Sequence, residues 1–196
     1  FGGLELDNMT YARVIEELSR GWMSLAGIIN SHLICAKLIS KFGSDEQKLK
    51  WLPSMATGEL RGCFSLSEPD SGSDAGALRC RAERDGDEWV INGTKMWVTN
   101  GEKAGVVALL ARVPDGEEEN SGGITCFIVE KTPGSEGGEG VSISRKIDKL
   151  GYRGLETVEM SYVDHRLNHD QLLGGDNGIG NGLRWELSAL ELGRIN

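Results

Sequence analysis

Two short stretches carry residue types that could bind and orient a reacting molecule. Residues 63–74 read CFSLSEPDSGSD. A strand-like run, Cys63-Phe64-Ser65-Leu66, passes through Ser67 and Glu68 and breaks at Pro69 into Asp70-Ser71-Gly72-Ser73-Asp74. Small residues let a backbone approach a ligand closely, and serine N–H and O–H groups can hold a phosphate without any lysine. The same composition makes an ordinary solvated turn, and from the residues alone both readings stand. Residues 96–100 read MWVTN, a strand ending in Asn-Gly. A Trp beside a Thr there offers a flat apolar face with a hydroxyl next to it, although a strand Trp serves equally well as core. Other chemistries drop out. His32, His165 and His169 have no metal-ligand spacing, and no metal site is expected. There is no Gly-x-Ser-x-Gly elbow and no Walker loop. The glycine-rich 174–182 stretch does not follow a strand in a dinucleotide fingerprint.

The elements around these stretches change character along the chain. Residues 8 to about 60 have helical spacing, with Tyr11, Val14, Ile15 and Leu18 on one side and Gly21 as a breaker. Residues 22–42 are apolar on most faces, as in a helix packed between others, and Gly43 ends it. Ser44 and Gln47 stand at capping-box spacing for a short helix expected to end near Pro53. From about Arg61 the period becomes that of strands: 106–113, 123–130, 141–147 and 157–163. Runs 79–84 and 89–91 flank Asp85-Gly86-Asp87 as a hairpin, and Asn92-Gly93 reads as a second tight turn. Short, evenly spaced strands predict a β-barrel or sandwich. The acidic, Gly-rich stretches 114–123 and 133–140 read as mobile loops. Helical spacing returns after Gly178 with Leu183, Leu187 and Leu190.

The chain has 196 residues, 39% hydrophobic and 26% charged, with a formal net charge of −9. Such a chain can bury roughly 70% of its unfolded surface without staples. The acidic balance argues against nucleic acid or an anionic membrane as a main partner. Cys35, Cys63, Cys80 and Cys126 have no zinc or redox spacing and read as buried thiols of a reducing compartment. No signal peptide and no run of about 18 apolar residues is evident, so neither secretion nor membrane spanning is expected. The chain opens without Met and stops inside a helical pattern, which reads as part of something longer.

Taken together, SLSEPDSGSDAGAL and GDEWVINGTKMWVTNG resemble the acyl-CoA dehydrogenase family. The similarity continues through FGGLELDNMTYARVIEELSRG, FGSDEQKLKWLPSMATGEL, DKLGYRG and GLRWELSALELGRIN, in order and over nearly the whole chain. The resemblance implies an α+β fold: N-terminal helices (1–60) packed on a central β-barrel that binds FAD and acyl-CoA (61–170), then the start of a C-terminal helical bundle (171–196). It implies FAD-dependent α,β-dehydrogenation of an acyl-CoA thioester, a carboxylate taking the α proton while hydride passes to the flavin and electrons go on to an electron-transfer flavoprotein. Carried over by position, Phe64, Ser65, Leu66, Ser67, Glu68, Pro69, Asp70, Ser71, Gly72 and Ser73 line the cofactor. Leu66 and Ser67 lie against the flavin ring and Ser73 lies near the pyrophosphate and the acyl-CoA. Trp97, Val98 and Thr99 add an indole against the flavin and a hydroxyl near its reactive nitrogen.

Ser73, Glu191, Leu192, Gly193 and Arg194 match substrate-binding positions, with Glu191 standing where the family commonly has Asp. No residue here matches the usual catalytic glutamate, which is expected beyond residue 196, and Gly193 occupies the alternative place before the arginine. The 196-residue chain alone is therefore expected to be inactive. Homo-oligomerisation as a dimer of dimers and a location in the bacterial cytoplasm or mitochondrial matrix follow by the same resemblance. An oxidase of acyl-CoA or nitroalkanes on this scaffold, and a non-catalytic flavin-binding or interaction module, are the alternatives.

Overall fold

The first helix starts where its backbone donors find an acceptor: the Asp7 carboxylate accepts from the N–H groups of Met9 and Thr10 at 2.9 and 3.1 Å. The computed structural model describes residues 1–114, 123–134, 136–144 and 146–195. Helix α1 spans Asn8–Phe42 and is interrupted by extended backbone at Trp22, one residue after the glycine expected to break it. Beyond the kink, Ile34, Cys35, Leu38 and Ile39 form the buried stripe that an i, i+1, i+4, i+5 spacing puts on one face. By length and composition alone α1 is apolar enough to cross a membrane. In this fold its apolar stripe lies against the sheet and the other helices.

Helix α2 (Asp45–Thr57) opens with the expected capping box, Gln47 N to Ser44 Oγ at 3.2 Å and Ser44 N to Gln47 Oε1 at 2.9 Å. It runs past Pro53 and ends only at Gly58 in the left-handed region. Pro53 lies on the exposed face, while Trp51, Leu52 and Met55 are buried around it. Their burial, at about 2 kcal/mol for each large side chain, outweighs the hydrogen bond that proline forfeits.

The strands are β1 (Gly62–Ser65), β2 (Arg81–Asp85), β3 (Glu88–Thr99), β4 (Val106–Val113), β5 (Gly123–Glu130), β6 (Val141–Ile143) and β7 (Thr157–Asn168). They form one curled half-barrel sheet in the order β1-β4-β2-β3-β7-β6, with β5 antiparallel on β4. β4 is almost wholly apolar because both of its faces are covered. Val107, Leu109 and Ala111 meet Phe127, Val129, Trp89 and Met160 inside the curl, while Val106, Ala108 and Leu110 pack under α1 and α2. The β2–β3 hairpin at Gly86 is as expected. Asn92-Gly93 is not a turn: β3 runs through it, with a register shift against β7. A Cβ on Gly93 would lie 2.6 Å from the Cys80 Cα, so this glycine serves a close approach of two backbones.

Within the expected 141–147 stretch the strand itself is Val141–Ile143, with residue 145 outside the described residues. Beyond it Ser144 N and Ile147 N still donate to the β7 carbonyls of Glu159 and Thr157 at 3.0 and 2.8 Å. β7 extends beyond 163 to Asn168. Most of the loop expected at 114–123, and residue 135 of the second, lie outside the described residues as well. Helix α3 (Gly182–Gly193) follows. Its buried residues are Gly182, Trp185, Glu186 and Ala189, while Leu187 is 47% exposed, so the buried face is offset from the Leu183/Leu187/Leu190 stripe. All four cysteines are buried free thiols. Gln47 ties the helical start to the segment after β7. Its amide nitrogen donates to the carbonyls of Asp170 and Leu172, both at 2.7 Å, and its amide oxygen accepts from Gly174 N at 3.1 Å.

Candidate functional site

The site is built on an irregularity in β3. Strict alternation would turn Lys95 and Trp97 to the same face. The register against β7 shifts between Lys95 and Val98, and the extra residue lets Lys95 and Val98 both point inward while Trp97 is ejected. Lys95 is fully buried, Val98 joins the core, and Trp97 is 55% exposed with φ of 63°. A left-handed tryptophan costs roughly 1–2 kcal/mol, and an exposed indole recovers little of that by burial. Asn100, also left-handed, ends the strand. Its amide nitrogen donates to Ile28 O at 2.8 Å, and Ser31 Oγ donates to Thr99 O at 3.0 Å. The end of β3 is thereby fastened to α1.

The segment after β1 runs alongside. Met96 N donates to Ser67 O at 2.8 Å, which brings Ser67 next to the ejected indole. Glu68 and Ser71 exchange backbone hydrogen bonds across Pro69-Asp70, and Ser71 Oγ donates to Asp74 O at 2.7 Å. The Glu68 carboxylate accepts from Lys95 Nζ at 2.8 Å, Cys80 N at 2.9 Å and Arg79 N at 2.7 Å. Burial acts to raise its pKa, but these donors prevail and hold the carboxyl below its ordinary range.

The residues expected to touch a cofactor thus separate by environment. Pro69, Asp70, Gly72 and Ser73 are exposed, and Ser67 and Thr99 are half-buried. Among the described residues the hydroxyls of Ser67, Ser73 and Thr99 have no hydrogen-bond partner. Phe64 and Leu66 are half-buried against the helix-facing core. Ser65, Ser71, Glu68 and Val98 are buried. Ser65 and Val98 offer an outside molecule backbone groups only, and the Glu68 carboxylate is already engaged.

Residues 191–194 lie at the end of α3. Glu191 and Arg194 are exposed, Leu192 packs with Tyr11 and Ile15, and a Cβ at Gly193 would stand 3.1 Å from Ile34 Cδ1. Among the described residues no hydrogen bond or ion pair joins them to 64–74.

Two charged groups were missed in the sequence. Lys95 carried a signal, being the one charge at an inward position of a strand otherwise lined by Trp89, Ile91 and Val98. Glu186 carried none, since Leu183, Leu187 and Leu190 suggested another buried face. It is fully buried, neither carboxylate oxygen has a partner, and burial pushes its pKa up to about 8.

Comparison with known proteins matches residues 1–59 to the acyl-CoA dehydrogenase N-terminal domain and residues 63–164 to the acyl-CoA dehydrogenase middle domain. The chain is 40% identical over 190 residues to (2S)-methylsuccinyl-CoA dehydrogenase of Cereibacter sphaeroides, covering 92% of this chain and 33% of that protein. It is 40% identical over 197 residues to the mitochondrial short-chain specific acyl-CoA dehydrogenase of Homo sapiens, covering 99% of this chain and 45% of that protein. The chain therefore spans less than half the length of these relatives. A glutaryl-CoA dehydrogenase from Mycobacterium smegmatis, solved in complex with FADH2, superposes with a TM-score of 0.84 at 33% identity, covering 96% of this chain and 45% of that one. Motif order, sheet topology and sequence identity agree: the chain belongs to the acyl-CoA dehydrogenase family.

Proposed function

We propose that the protein containing this chain oxidises the Cα–Cβ bond of an acyl-CoA thioester with FAD, and that this chain supplies the cofactor-binding surface. One observation carries the reading: the bulge in β3 sets an exposed, left-handed Trp97 beside the free hydroxyls of Ser67 and Thr99. These residues fit a flavin, which needs an apolar wall for its ring and hydrogen-bond donors at its polar edge. When bound, FAD supplies the two-electron oxidation. Trp97 walls the ring, the backbone at Leu66 and Ser67 with the Ser67 and Thr99 hydroxyls serves its edge, and Ser73 donates to a phosphate of the cofactor or the acyl-CoA. Residues 191–194 of α3 contribute to the acyl-CoA site.

The proton-abstracting carboxylate is assigned outside residues 1–196. Glu186 is sealed from solvent, and Glu191 is exposed at the end of α3, with no hydrogen bond or ion pair to the 64–74 segment among the described residues. The chain divides at about 60 and 170 into helical, cofactor-binding and second helical parts. An electron-transfer flavoprotein takes the electrons, and the full protein assembles as a dimer of dimers. It resides in the mitochondrial matrix of a eukaryote or the cytoplasm of a bacterium.

The test is anaerobic mixing of the full-length holoprotein with a panel of acyl-CoA thioesters. Bleaching of the oxidised flavin band by at least one of them is expected. A bound flavin that none of them bleaches would defeat the dehydrogenase reading in favour of a non-catalytic flavin module.

A further inference from the structure

A strand that buries a lysine has to compensate it. Lys95 is fully buried at an inward position of β3, where apolar residues would pack at least as well, since desolvating an ion pair commonly cancels its Coulombic gain. What the pair contributes beyond stability can be read from its partners. Lys95 Nζ donates to the carbonyl of Leu66 at 2.9 Å and to Glu68 Oε1 at 2.8 Å. The same carboxylate receives the N–H groups of Arg79 and Cys80. Leu66 and Glu68 stand where the 66–80 segment leaves the sheet, and Arg79 and Cys80 where it returns. One buried pair therefore joins both ends of that segment. It also sits one residue before Met96, whose N–H fixes Ser67.

We infer that Glu68 and Lys95 are positioning residues that clamp the neck of the 66–80 segment, so that Ser67 and Ser73 are held in the arrangement FAD requires; the FAD part rests on the function proposed above. Neither residue touches the cofactor through its charge. Without Lys95, the Leu66 carbonyl loses its ammonium donor and the buried Glu68 carboxylate keeps only the Arg79 and Cys80 N–H groups with no counter-charge, and the neck opens to solvate them. Charges at this place serve geometry: a carboxylate accepts from two backbone N–H groups and an ammonium in fixed directions, which no aliphatic pair can do.

Hydrogen exchange by mass spectrometry on the full-length protein tests the clamp without cofactor. In Lys95→Met, peptides covering 66–80 and 95–97 are expected to exchange at least tenfold faster, with peptides from β4 and β5 unchanged. Should Lys95→Met fail to fold, the near-isosteric Glu68→Gln is read in the same way. A folded variant with unchanged exchange at 66–80 overturns the inference. A second arm measures FAD affinity and the absorption spectrum of the bound flavin. At least tenfold weaker binding with a shifted spectrum, at temperatures well below unfolding, is expected, and unaltered affinity and spectrum count against the clamp. Failure of the unmutated protein to bind FAD overturns the functional reading instead, and the exchange arm then decides the clamp by itself.

Discussion

Replacing Glu186 by Gln should remove a pH dependence from the stability of this chain. The carboxyl sits between α3, α1 and β5, facing the buried thiols Cys35 and Cys126, with both oxygens unpartnered. Burial raises its pKa from an ordinary 4.5 to about 8. The folded state therefore keeps the proton between these values while the unfolded chain releases it. The stabilisation is complete below pH 4.5 and is lost as pH rises toward 8. Its size follows from a shift of about 3.5 units at 1.36 kcal/mol each, or about 5 kcal/mol in all, lost at about 1.4 kcal/mol per pH unit.

Urea unfolding at pH 5, 6, 7 and 8 measures this directly, with wild type and Glu186→Gln compared at each pH. Other groups titrate in both proteins and cancel in the difference. His32 and His165, whose pKa values burial lowers, work in the opposite direction as pH falls. The thiols, with pKa values raised by burial, enter only above pH 9. The difference between the two proteins should grow in favour of Gln by several kcal/mol from pH 5 to pH 8. Parallel pH profiles would refute the argument, because they would mean that water or a donor reaches the carboxylate in the folded state.

Further outcomes follow from the geometry. Gln47→Ala removes hydrogen bonds to Asp170, Leu172, Gly174 and Ser44 together, and urea unfolding should show a loss of about 3 kcal/mol or more. Gly93→Ala forces a Cβ against the Cys80 backbone and should cost about 2 kcal/mol in the same assay, whereas a true Asn-Gly turn at the tip of a hairpin would tolerate it better. Trp97→Gly relieves left-handed strain at an exposed position, so thermal unfolding should show stability unchanged or raised by up to about 1 kcal/mol, while flavin titration of the full-length protein shows weaker FAD binding. The purified 196-residue chain, supplied with FAD, acyl-CoA and an artificial acceptor, should show no turnover. Steady reduction of the acceptor would place a competent base inside these residues.

Much of this protein was legible in its residues because the relevant signals are local. The capping box at Ser44 and Gln47, the hairpin at Gly86 and the strands 106–113 and 123–130 each depend on neighbours a few positions away, and all four are present. The family was legible too, because SLSEP and MWVTN are specific strings in the right order. What the string could not decide was which contacts would override local preference. Pro53 reads as a stop, yet the burial of Trp51, Leu52 and Met55 carries the helix through it. Asn92-Gly93 reads as a turn, yet the approach of the Cys80 backbone makes the glycine part of a strand. Ser65, Glu68 and Val98 are expected by resemblance to line a cofactor, but the fold turns their side chains inward. The sequence by itself determined most of the elements, the family and the two segments proposed to hold the cofactor. Only the tertiary structure decided which of those side chains face outward and that a buried Glu68–Lys95 pair gathers both ends of the loop, because burial and bulge register depend on residues dozens of positions apart.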